Sequence, residues 1–200
     1  MLEWVLHTID LFSRRKDIQL VVRIHPAEVT GTLPSRQLVE EEIKNKFDNL
    51  PENIFVISPN NSISTYVLAQ DCDSAIIYGT KTGVELSAKG IPVIVAGEAW
   101  IRNKGISIDV DNISSYNEIV DSLPLKKRNS KEMILRAKKY AYHFFFRRMI
   151  ALDFINIPGK YFNPYSIDIK SLKDIMPKKH KGFDTIMDGI IESKDFIYDN

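Results

Sequence analysis

Ser74-Ala75-Ile76-Ile77-Tyr78-Gly79-Thr80-Lys81-Thr82-Gly83-Val84-Glu85 joins a short apolar run to a turn carrying two glycines and two threonine hydroxyls. The β-branched run predicts a strand. A helix is expected from about Val84 to Lys89, with Gly90 as its stop. The same alternation recurs on both sides. Upstream, Ile18–Ile24 predicts a buried strand ended by His25-Pro26, where proline removes a ladder donor. Thr30, Gly31 and Pro34 mark a loop, Ser35–Phe47 a charged helix, and Ile54–Ile57 the next strand. Ser62 is expected to cap a short helix through Tyr66 and Leu68. Downstream, Pro92–Val95 reads as a fourth strand, before a glycine-containing loop from Ala96 to Gly105.

Leu2, Val5, Leu6, Ile9 and Phe12 recur at helical spacing, so a helix opens the chain, and Arg14-Arg15-Lys16 is expected as a cationic last turn suited to its dipole. Short apolar strands alternating with helices pack as a parallel sheet, because each crossover helix must return over the sheet. The expected fold is α/β. A Rossmann-like parallel sheet with helices on both faces occupies residues 1–125, and C-terminal helices over 126–200 pack on the same domain. In that C-terminal part Ser130 is the expected N-cap of a long helix running into Tyr140, Tyr142, Phe144, Phe145 and Phe146. No strand is predicted in the last third, and Pro177–Gly182 reads as an exposed loop.

Composition narrows the functional classes. A chain of 200 residues that is 44% hydrophobic can bury one sizeable core. Lys plus Arg total 27 against 26 acidic residues, so no global field points to nucleic acid or an anionic membrane as the main partner, and any phosphate recognition must be local. The runs at Lys126-Lys127-Arg128 and Lys178–Lys181 read as solvated loops. The lone Cys72 and the four histidines offer no internal disulfide and no metal-ligand spacing. A reducing cytoplasmic setting and no cofactor are therefore expected. No signal-peptide pattern opens the chain, and no apolar run approaches the roughly 18 residues of a spanning helix. The aromatic run at Tyr140–Phe146 reads as core or interface, or as a face able to touch the inner side of the cytoplasmic membrane.

In an open parallel sheet, ligands sit beyond the carboxyl ends of the strands. Three segments occupy such positions. In the Gly79–Glu85 segment, Gly79 and Gly83 permit close backbone approach, Thr80 and Thr82 offer hydroxyls, and Lys81 offers a cation. It is neither a Walker P-loop nor a Gly-x-Gly-x-x-Gly fingerprint, and a plain strand-to-helix turn with a threonine cap reads equally well. His25, beside Pro26, can donate to a phosphate or a base edge, with Arg23 on the same face, or can be a simple turn residue. Glu85 can accept from a ribose diol or merely complement the helix dipole. Lys104 lies on the third segment, Gly97–Lys104.

Taken together, Val22-Arg23-Ile24-His25-Pro26-Ala27-Glu28, Ser64-Thr65-Tyr66, Tyr78–Glu85 and Gly90-Ile91-Pro92-Val93-Ile94 resemble the capsule polysaccharide biosynthesis family. That family includes bacterial 3-deoxy-manno-octulosonic acid (Kdo) transferases and is similar in motif style to bacterial sialyltransferases. The resemblance covers about half the chain, from Val21 to Tyr116. It implies one half of a GT-B-type glycosyltransferase, the half that holds the nucleotide sugar, with a cytidine monophosphate-linked donor favoured. His25-Pro26 would then contact the nucleotide, Thr80 and Thr82 the phosphate, and Glu85 the ribose. A complete enzyme of that type needs a second α/β domain for the polysaccharide acceptor and the general base, so a further domain or partner subunit is expected. The alternatives are transfer of glycerol phosphate from a cytidine diphosphate carrier, or a non-catalytic nucleotide-binding or scaffold module.

Overall fold

The computed structural model describes residues 1–31, 35–126, 129–157 and 165–198. Pro34 and the Lys127-Arg128 pair lie outside the described residues. The chain divides into two compact units, residues 1–137 and 138–200.

The first unit opens with α1 (Leu2–Ser13), then β1 (Leu20–Arg23), the single turn α2 (Ala27–Thr30), α3 (Val39–Lys46) and β2 (Ile54–Ile57). There follow α4 (Thr65–Gln70), β3 (Ala75–Ile77), α5 (Thr82–Ala88), β4 (Val93–Val95), β5 (Ile108–Asp109), α6 (Ile113–Asp121) and α7 (Lys131–Tyr142), within which the unit boundary falls. The fold of this unit is α/β with parallel strands. β1 pairs with β2 in the register Val21↔Phe55, and β3, β4 and β5 form a second parallel ladder with Ile76 opposite Ile94. Among the described residues the two ladders are separate small sheets of two and three strands.

A single buried cluster nevertheless draws on both sheets. It takes Ile9 and Phe12 from α1, Ile43 from α3, Ile54 from β2, Ile94 from β4 and Val120 from α6. The period-2 alternation of a strand then decides the opposite face. On β3 and β4 that face is covered by α5, whose Val84 and Leu86 are buried, and the fully buried Val93 and Val95 flank Ile94. On β1 and β2 it is open: Val21 is 37% and Phe55 46% exposed. The expectation of a buried first strand and a sheet covered on both faces therefore holds for β3–β4 and fails for β1–β2, because no described element packs over the Val21–Phe55 pair.

Local chemistry explains several boundaries. α5 ends in a Schellman arrangement: Gly90 takes φ +86, its N–H donates to Ser87, and Ile91 N–H donates to Leu86. α6 starts at a capping box between Asn112 and Ser115, and Ser130 Oγ accepts from Met133 N–H at the start of α7. The short helix α4 is capped by Ser64, not Ser62, since Ser64 Oγ accepts from Tyr66 N–H. Arg14-Arg15-Lys16 is not the last turn of α1 but follows it. Arg15 ion-pairs with Asp17 and donates to the carbonyls of Val120, Asp121 and Leu123, so its charge serves the C-terminus of α6.

In the second unit, α7 runs into a π-helical turn (His143–Arg147), then β6 (Ile155–Asn156), β7 (Ser166–Ile167), a 3-10 turn (Leu172–Ile175) and α8 (Lys181–Glu192). β6 and β7 form a two-residue antiparallel ladder where no strand was expected, too short to leave an alternation in the sequence. The loop expected at Pro177–Gly182 stops at His180, because Lys181 and Gly182 already belong to α8. Gly182 is buried there, and a side chain at its position would run into the Ala151 carbonyl. Phe154 packs edge-on against His180 and Phe183. His180 Nδ1 donates to Asp153 Oδ1 at 2.6 Å.

The turn between α1 and β1 hangs on Asn53, which is 8% exposed and whose Nδ2 donates to the carbonyls of Phe12, Arg15 and Ile18, each at 3.0 Å. Asn53→Ala removes the side-chain donor from all three, leaving the Phe12 and Arg15 carbonyls to the backbone N–H groups of Arg15 and Ile18 and the Ile18 carbonyl to none of those described, and is expected to cost about 1–3 kcal/mol in urea unfolding with an unchanged denaturant slope. An unaltered midpoint would show that the carbonyls are served by other donors in solution.

Candidate functional site

The residues singled out in the sequence fall into two groups at the carboxyl ends of the strands in the first unit. The first group lies beyond β1 and β2. His25 is exposed and its Nδ1 accepts from Ala27 N–H at 3.0 Å, which requires the lone pair on Nδ1 and leaves the ring proton of the neutral imidazole on Nε2. The Pro26 turn thus presents His25 as a fixed outward donor. Pro26 itself starts α2, and Thr30 Oγ1 donates back to its carbonyl. Glu28 accepts from Val39 N–H at 2.7 Å, serving the first turn of α3.

Arg23 is engaged differently from the ligand role expected of it. Its Nη1 donates to the carbonyls of Ile24 (2.7 Å) and Ser58 (2.8 Å), and Nη2 to Asn61 (3.1 Å), so the guanidinium clasps the loop leaving β2. Beside that loop is a shallow cleft of about 250 Å³ lined by Glu28, Glu40, Glu41, Lys44 and Ser58 among others. Its carboxylates repel a phosphate.

The second group lies beyond β3 and β4. Gly79 passes so close to the next loop that a Cβ there would sit 2.9 Å from the Glu98 carbonyl, and one on Gly97 would sit 2.7 Å from the Tyr78 carbonyl. Gly83 is buried, and a Cβ there would run into Ile77 Cδ1, so this glycine allows α5 to seat on β3. Thr80 Oγ1 accepts from Thr82 N–H at 3.3 Å and donates to Thr82 Oγ1 at 3.2 Å, which leaves the Thr82 hydroxyl hydrogen to point elsewhere. Lys81 and Lys104 are exposed. The loop carrying Lys104 is built on Arg102, whose Nη2 donates to the Val110 carbonyl at 2.7 Å, and on Asp109, which accepts from Asn103 N–H and Ser107 Oγ.

Glu85 has a partner that nothing in the local sequence signals. Tyr66 Oη donates to Glu85 Oε2 at 2.7 Å, and Lys89 Nζ lies 4.8 Å from the centre of the Tyr66 ring. Thr82, Glu85 and Lys89 share one face of α5 at i, i+3 and i+7. Tyr66 also joins the two groups. Arg23 holds Ser58 and Asn61, Asn61 Oδ1 accepts from Ile63 N–H, Ser64 Oγ accepts from Tyr66 N–H, and Tyr66 reaches Glu85. No direct bond joins His25 to the Thr80–Thr82 turn among the described residues. Nor do these residues contain a cluster of three or more His, Cys, Asp or Glu side chains able to hold a metal ion.

Set beside known proteins, this arrangement stands on its own geometry. No family model, curated protein or solved structure matches the chain. What the site can do is therefore read from its groups: an outward imidazole donor, a hydroxyl relay at a strand-to-helix turn, and a carboxylate held by a phenol.

The Tyr66 phenol is pushed above its ordinary value, first by its hydrogen bond to the Glu85 carboxylate and then by partial burial. A raised value means that the stabilising bond is intact below the usual tyrosine range and is lost as pH rises through the raised pKa. Glu85→Gln is expected to lower the Tyr66 pKa, followed through its ring resonances in an alkaline NMR titration. An unshifted titration would show that the two side chains do not pair in solution.

Proposed function

We propose that the first unit is the nucleotide-sugar donor-binding part of a glycosyltransferase in bacterial surface polysaccharide assembly, its two parallel ladders, β1-β2 and β3-β4-β5, making up a Rossmann-like fold. The motif resemblance and the parallel pairing with helical crossovers support the fold assignment. One observation carries the functional reading. A threonine hydroxyl and a tethered carboxylate stand one helical turn apart, roughly 4.5 Å along the axis, beyond the carboxyl end of a parallel strand. That spacing suits the phosphate and the ribose diol of one nucleotide.

In this reading Thr82 Oγ1 donates to the phosphate, assisted by Thr80, while Glu85 accepts from the ribose and His25 Nε2 donates to the base or a phosphate oxygen. Lys81 and Lys104 add positive charge at the rim. Arg23 serves the site by holding the 58–61 loop. During transfer the nucleotide phosphate leaves the sugar carbon with the bonding electron pair, and donors in the Gly79–Gly83 turn stabilise its growing charge. The general base and the acceptor are assigned to a further domain or partner subunit.

Isothermal titration with cytidine monophosphate, cytidine diphosphate and uridine diphosphate tests this. Saturable binding of one nucleotide is expected, weakened on the order of tenfold by His25→Ala and by Thr82→Ala, as for loss of one charge-assisted hydrogen bond each. Binding of none would overturn the donor reading, and binding without transfer when an acceptor-bearing partner is supplied would favour a nucleotide-sensing module.

A further inference from the structure

Between Glu132 and Asp153 the sequence has no acidic residue, while Arg136, Lys138, Lys139, Arg147 and Arg148 fall within it, in a chain whose net charge is only +1. The part of this stretch in the second unit also carries its densest aromatic run. The π-helical turn sorts those rings into two sets. Tyr140 stacks on Phe144, which is buried and meets Phe145 edge-on, whereas Tyr142 stacks on Phe146 at 5.6 Å and both remain largely outside, at 57% and 55% exposed. Met149 is exposed next to them. Beside this pair opens a cavity of about 550 Å³ lined by Lys138, Lys139, Tyr142, His143 and Arg147.

We propose that this surface docks on an anionic lipid bilayer, with Tyr142 and Phe146 seated at the headgroup–acyl boundary and Lys138 and Lys139 facing lipid phosphates. Aromatic side chains bury well at that boundary, and lysine stems lie along apolar surface while their ammonium groups stay with the headgroups. The exposed Lys138 and Lys139, on a stretch free of acidic residues along the sequence, select an anionic surface over a neutral one, since each cation near such a membrane adds attraction. The helix lies on the bilayer and does not cross it. Among the described residues no helix is long and apolar enough to span. This inference is independent of the nucleotide reading.

Flotation of the full chain with phosphatidylcholine vesicles, with and without one part in three of phosphatidylglycerol, is the test. The chain is expected to float with the anionic vesicles only. The pair Tyr142→Ser and Phe146→Ser, and separately the pair Lys138→Glu and Lys139→Glu, should each lower partition on the order of tenfold or more, with helix content unchanged by circular dichroism. The matched pair Lys173→Glu and Lys179→Glu, at exposed sites elsewhere in the unit, should lower it far less. Phe146→Trp should add a blue-shifted emission quenched by brominated lipid. The proposal is overturned if the chain stays unbound, if the matched pair weakens flotation as much as Lys138→Glu with Lys139→Glu, or if a single-stranded oligonucleotide is bound in preference to the vesicles.

Discussion

Backbone carbonyls that leave a parallel ladder or a helix end have no partner of their own, and a buried carbonyl without a donor is costly. In the first unit three guanidinium groups meet that need. Arg15 serves the end of α6, Arg23 the loop beyond β2, and Arg102 the residues beyond β5. A planar fork with several donors can bind two or three carbonyls at once, which a lysine ammonium on a flexible stem does less well. Arg23 holds the Ile24 carbonyl beside His25, and Arg102 anchors the loop that carries Lys104, whereas the Thr80–Thr82 turn is set by its own hydroxyls and glycines.

This also explains where the sequence could and could not be read. The strand and helix alternation is legible because β-branched runs and glycine stops are local signals, and Gly90 at φ +86 does what its position beside Lys89 suggests. The β5 strand, of two residues, and the β6–β7 ladder are too short to carry any period. Ser62 and Ser64 are equivalent as caps until the chain direction is known. Val21 and Phe55 show that apolar character does not itself specify burial. Arg23 was legible as a cation at a strand end, but the three carbonyls it holds are set by tertiary structure.

The candidate site divides the same way. His25, Thr80, Thr82 and Glu85 are legible as polar groups just past predicted strand ends, where a plain turn reads equally well. Tyr66 is not, because it lies 19 positions from Glu85 and contributes through a tertiary contact. Gly83 reads from the sequence as a glycine permitting close backbone approach, and its burial against Ile77 and Ile101 shows that the close approach is helix-to-strand packing. The cleft beside Glu28 is lined by three carboxylates against one lysine, which disfavours an anion within it.

The crossing of Tyr78-Gly79 with Gly97-Glu98 has a bearing on engineering. Two backbones that leave no room for a methyl group between them form one mechanical part. Changing the length or residues of either loop by itself jams it against the other. A graft intended to transfer specificity between related proteins would have to carry both segments together, as a single cassette from Tyr78 to Gly83 and from Gly97 to Gly105.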